Sequence, residues 1–103
     1  MIQNCCRKNS KEGQRIEELT EFVKLINEPN RIKILCLLKQ RELCVCEIFE
    51  ALNLPQNLVS HHLKELSNLG IINFRKLGTK VIYFRNEVLI EKYVNLLNKI
   101  IQI

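Results

Sequence analysis

No run of eighteen apolar residues occurs in this 103-residue chain, so no membrane-spanning helix is expected. The first fifteen residues, Met1 to Arg15, are polar and lack the apolar stretch of a secretion signal. Together these two absences predict a cytoplasmic protein. No Cys-x-x-Cys and no strand–helix–strand pattern occurs, which excludes a small thiol oxidoreductase. No Ser/His/Asp set, paired acids or phosphate-cradling glycine loop is visible either. The chain is therefore not expected to be an enzyme or to hold an organic cofactor. Internal repeats and low-complexity segments are also missing. The length allows one small domain with a modest core, which a second subunit would help to complete.

What remains is thiols and positive charge. The five cysteines are Cys5, Cys6, Cys36, Cys44 and Cys46. In a reducing compartment they read as metal ligands, redox groups or core filler rather than disulfides, and the odd count agrees. Cys36 lies between leucines in a mostly apolar helix and reads as core. Cys44 and Cys46 stand one residue apart in Glu42-Leu43-Cys44-Val45-Cys46-Glu47, at the start of an apolar helical pattern. Along a regular helix, positions i and i+2 point about 200° apart. At a helix start the backbone can still turn, and both sulfurs can converge on one ion.

The net charge is +5, gathered in two places. Residues 16–55 carry five bases and seven acids, whereas residues 56–85 carry five bases and one acid. The first fifteen residues add +3. Positive charge so placed suits a polyanion such as DNA.

Periodicity supplies the frame. Residues 1–14 read as a flexible arm holding the Cys5-Cys6 pair, and residues 15–103 as one domain. Ile16, Leu19, Phe22, Val23 and Ile26 predict a first helix from about Arg15 to Ile26. Pro29 opens a second, to about Lys39. A short third spans Val45 to Leu52, and a fourth runs from Gln56 to Leu69, ended by Gly70. From Ile71 to Arg85 the period changes to two, with Gly78 at the turn, which predicts a β-hairpin. Asn86 to Ile103 is a helix whose apolar residues cover more than one face, as a dimer partner would explain. The fold expected is mainly α with a small β-hairpin: a winged helix-turn-helix with the fourth helix as reader.

Gln56, Asn57 and Ser60 sit early in that helix, where Gln and Asn suit adenine in the major groove. His61 reads as a base or phosphate contact. His62 reads equally as a DNA contact or as a buried, hydrogen-bonded histidine. Lys64, Arg75, Lys76 and Lys80 are candidates for phosphate or the minor groove.

In this order the motifs resemble the ArsR/SmtB metal-sensing repressors. Pro29-Asn30-Arg31-Ile32-Lys33-Ile34-Leu35 looks like the family's second helix, and Glu42 to Glu47 its metal box. Val59-Ser60-His61-His62-Leu63-Lys64-Glu65-Leu66 looks like its recognition helix, and Gly70 to Tyr83 its wing. The resemblance implies a homodimer that represses its own operon and leaves operator DNA when a toxic ion binds. It also implies metal ligation by Cys44 and Cys46. Phe49 stands where some arsenic-sensing members have a third cysteine. The last helix has no histidine, so the family's zinc site there is missing. The resemblance assigns the remaining ligands to Cys5 and Cys6. Three sulfurs fit As(III) or Sb(III), the favoured inducers. Four fit Cd(II) or Pb(II), a close second, with Zn(II) also open. A thiol redox or persulfide sensor on the same scaffold is the alternative.

Overall fold

The computed structural model describes residues 11–102. Five helices and three strands follow in order: α1 (Lys11–Ile26), α2 (Pro29–Gln40), β1 (Leu43–Cys44), α3 (Val45–Leu52), α4 (Gln56–Leu69), β2 (Ile72–Leu77), β3 (Lys80–Arg85) and α5 (Glu87–Ile101). The fold is the winged helix-turn-helix that the periodicity predicts. Helix α1 starts at Lys11, five residues ahead of its apolar stripe.

Local chemistry sets the boundaries. Pro29 occupies the first turn of α2, where its missing N–H costs nothing, and the Glu28 carboxylate accepts from the Arg31 N–H at 3.2 Å. Asn53 ends α3 in the left-handed conformation (φ 54°), and its N–H turns back to the carbonyls of Glu50 and Phe49. Gly70 ends α4 at φ 90°, donating to the Ser67 carbonyl at 2.9 Å. Asn86 caps α5 through its side-chain oxygen, while its Nδ2 donates to the Gly70 carbonyl at 3.1 Å. One residue thus fastens the end of the hairpin to the end of α4.

The core lies where α2, α3, α4 and the hairpin meet. Ile34, Ile48, Val59, Leu63, Leu66, Ile71 and Ile72 are fully buried there. Phe22 and Tyr93 stack with ring centroids 4.5 Å apart and join α1 to α5. Val88, Val94, Ile100 and Ile101 of α5 and Val23 of α1 remain exposed.

Two expectations are corrected. The hairpin gains a third strand: the sheet order is β1-β3-β2, antiparallel throughout, with Leu43 opposite Tyr83 and Cys44 opposite Ile82. Cys36 is exposed, not core. The buried residues of α2 are Ile34 and Leu38, and Cys36 lies two positions from each. Two positions is a rotation of about 200°, which turns the thiol away from the core whatever its neighbours are.

Candidate thiolate sensor site and nucleic-acid interface

Cys44 ends β1 and caps α3, with its side chain buried under the sheet; Cys46, in the first turn of α3, is exposed. Cys44 is extended (φ −81°, ψ 163°) where α3 begins, and the two Cα atoms lie 5.5 Å apart. That separation lies in the range that permits bridging, and the sulfurs are joined as a disulfide. The sequence favoured separate thiols; the extended backbone at Cys44, one residue ahead of the helix, lets its thiol meet that of Cys46, whereas two such positions inside a regular helix point about 200° apart. Glu47 accepts from the Cys44 N–H at 3.0 Å and lies 3.5 Å from Arg41. That bond satisfies a donor at the helix start, as a capping-box acid does.

Among the described residues, no group of three or more His, Cys, Asp or Glu side chains could hold a metal ion. The box supplies two sulfurs, one fewer than a trigonal site requires. Cys5 and Cys6, the other expected ligands, lie outside the described residues. Phe49 is half-buried against the core.

Helix α4 sits beside the box, and its exposed face carries Gln56, Asn57, Ser60, His61 and Lys64. The Asn57 side-chain oxygen accepts from the Leu58 N–H at 3.0 Å, so pairing both its groups with a base would require it to turn. His62, expected among the DNA contacts, is 5% exposed and faces inward. Its Nδ1 accepts from Arg31 Nε at 3.1 Å, and its Nε2 lies 3.3 Å from Glu28. The recognition helix buries Val59, Leu63 and Leu66, and His62 falls beside them on the same stripe. Of the two readings open for it, the buried one holds. Burial pushes the imidazole below its ordinary value, Glu28 opposes this, and Arg31 and His61 add to it.

On the wing, Lys76 and Lys80 are exposed near the hairpin tip. Arg75 is not a free cation: it pairs with Glu42 and lies 5.5 Å over the Phe84 ring. The hydrogen bond holds Glu42 below the usual carboxylate range and raises Arg75. Arg85 is likewise turned inward, donating to the Leu35 carbonyl at 3.1 Å and to Glu87 at 3.0 Å. The basic count of residues 56–85 therefore overstates the charge offered to a ligand. Sequence reasoning missed both pairings, because Glu42 lies 33 positions from Arg75 and Leu35 lies 50 from Arg85.

Residues 28–73, from the cap of α2 through the box and α4 into β2, match the bacterial regulatory protein, arsR family. The arsenical resistance operon repressor of Staphylococcus xylosus is 35% identical over 79 residues, covering 77% of this chain and 75% of that protein. The chain belongs to the ArsR family. Its ArsR/SmtB relatives are metal-responsive transcriptional repressors with a DNA-binding helix-turn-helix. The cadmium resistance regulator CadC of Listeria innocua is 36% identical over 77 residues, or 74% of this chain and 62% of that protein. Among solved ArsR-like structures, reduced HlyU from Vibrio cholerae superposes with a TM-score of 0.72 at 28% identity, covering 87% of this chain and 95% of that one. The repressor BigR from Xylella fastidiosa gives 0.70 at 26%, covering 87% and 92%. These neighbours are transcriptional regulators. Among the described residues, no helix is long and apolar enough to cross a membrane.

Proposed function

We propose that this ArsR-family chain is a homodimeric repressor released from operator DNA when its thiolates take a soft ion. As(III) or Sb(III) is favoured over Cd(II) or Pb(II), with Zn(II) a weaker candidate. The observation that carries the reading is the convergence of Cys44 and Cys46 at the joint between β1 and α3, the helix that precedes the reading helix. The box contributes two sulfurs, and Cys5 and Cys6 of the arm supply the third or fourth. Soft thiolates select such ions over hard ones. Ligation would tie the arm to the first turn of α3 and move the helix-turn-helix of one protomer relative to its partner. The exposed apolar residues of α5 and α1 supply the dimer surface. Gln56, Asn57, Ser60 and His61 would meet the major groove, and Lys64, Lys76 and Lys80 the phosphates.

The test is a titration of the reduced protein, free and bound to DNA, with As(III), Cd(II), Pb(II) and Zn(II) in turn. Thiolate-to-ion ultraviolet bands report binding, and single Cys→Ser variants at 5, 6, 44 and 46 report the ligands. Typical coupling of about 1–3 kcal/mol predicts a roughly 5- to 150-fold loss of DNA affinity on ion binding. Unchanged affinity with a saturated site would sink the switch.

A second reading follows from the same pair of sulfurs, which lie close enough to join. Hydrogen peroxide would take two electrons and two hydrogens from the dithiol, forming the S–S bond as its O–O bond breaks and two waters leave. Mass spectrometry under peroxide separates the readings: DNA release that tracks the loss of two hydrogens, without any ion, favours redox sensing.

A further inference from the structure

Three groups from two distant parts of the chain meet beneath the reading helix, and the metal switch uses none of them. His62 enters from α4, Arg31 from the first turn of α2, and Glu28 from the cap of that turn. The Arg31 guanidinium is anchored twice: Nη1 donates to the Leu25 carbonyl of α1 at 3.1 Å, and Nε donates to His62 Nδ1 at 3.1 Å. Glu28 Oε2 lies 3.2 Å from the Arg31 backbone N and 3.3 Å from His62 Nε2. The arrangement fixes the tautomer. Nδ1 faces an obligatory donor and must present its lone pair, so the ring proton is on Nε2 and points at Glu28. A second proton could only go on Nδ1. There it would face the Arg31 N–H, donor against donor and cation against cation. The charged groups around the ring are Arg31 and Glu28 from α2 and its cap; the titratable His61 of α4 lies with its ring centroid 5.8 Å away. Among the described residues, α1 gives the cluster the Leu25 carbonyl.

We propose that Glu28, Arg31 and neutral His62 form a latch that sets the pitch of α4 for base reading, and that acid opens it by protonating His62. The inference rests on the reading of α4 as the DNA-contacting helix. His62 lies one turn or less from Ser60 and His61 and within two turns of Gln56 and Asn57. A change in its seat therefore moves those side chains while Val59, Leu63 and Leu66 keep the helix in place. His62 is a positioning residue. Burial already disfavours its charged form, so the latch is closed at neutral pH and opens on the acid side of the ordinary histidine range. His61 lies exposed on the outer face of the same helix, apart from the latch.

The experiment uses the reduced, metal-free full chain and a duplex selected in vitro from random sequence. Affinity is measured from about pH 8 down to about pH 5 for wild type, H61Q, H62N and E28Q, with thermal unfolding alongside. H61Q takes the outer imidazole out of the comparison, and affinity should then fall roughly 2- to 10-fold toward acid, the scale of one broken hydrogen bond. In H62N the side-chain oxygen replaces Nδ1 as acceptor and cannot titrate, so the acid limb should vanish while binding near pH 8 holds. E28Q keeps an acceptor for the cap but removes the carboxylate that favours the cation, so the limb should move to lower pH. The E28Q shift decides the matter if H62N does not fold. An acid limb that survives H62N, or moves upward in E28Q, overturns the latch and leaves the DNA reading intact. Failure of wild type to enrich any duplex overturns both.

Discussion

Lys80→Ala is the sharpest probe of how the wing meets DNA. Lys80 opens β3 at the hairpin tip, is exposed, and has Gly78 beside it in a left-handed turn (φ 65°). Removing its side chain takes nothing from the core, so folding should be unchanged. The proposed dimer would carry two copies. Each lysine–phosphate pairing that is removed lowers the slope of log affinity against log salt by about 0.9 on duplex DNA. Two such removals therefore flatten it by ~1.8, which over a fourfold range of salt is about a 12-fold difference. Fluorescence anisotropy with a labelled duplex at several salt concentrations measures the slope directly. The weakening should be similar on selected and unrelated sequence, since pairing with a phosphate carries no sequence information. Arg75→Ala should flatten the slope less, because Glu42 already occupies that guanidinium. Glu42→Gln should free it and steepen the slope. An unchanged slope for Lys80→Ala, or a weakening confined to the selected site, would refute the assignment.

Other outcomes follow from the same geometry. Ile48→Ala, at a fully buried position in α3, should cost about 2–5 kcal/mol in denaturant unfolding. Gly70→Ala forces a side chain into φ 90° and brings its Cβ to 3.4 Å from Leu89, so it should cost about 1–2 kcal/mol by the same assay. Stability should fall on the acid side. The folded state lowers the value of His62, so its contribution is complete above the unfolded histidine value and is lost as pH drops through the folded one. Unfolding midpoints at about pH 7.5 and about pH 5.5 should differ in wild type by more than in H62N. Removing the exposed apolar side chains Val88 and Val94 together should shift sedimentation toward monomer with helicity retained.

The helices were legible because their burial is periodic. Leu19 and Phe22, Ile34 and Leu38, and Val59, Leu63 and Leu66 recur at three or four residues, and all of them are buried. The hairpin was legible from its alternation around Gly78. A two-residue strand has no period to detect, so β1 could not be read. Cys36 misled because its sequence neighbours are apolar, although the helical turn points it the other way. The inward seat of His62 depends on Arg31, 31 positions away, and the engagement of Arg75 on an acid just as remote. Such partners are a property of the tertiary fold, and local pattern carries no trace of them. The metal box was visible as a motif, and the meeting of its sulfurs depends on the extended backbone at Cys44.

That small strand has a mechanical consequence. Leu43 and Cys44 are zipped to Tyr83 and Ile82 of β3, while the very next residue starts α3. A tug on the cysteine therefore works like a bell crank, with one arm pulling on the helix pair and the other on the hairpin that carries Lys76 and Lys80. Grip on base edges and grip on the sugar-phosphate rails would slacken in one stroke, with no relay through the interior.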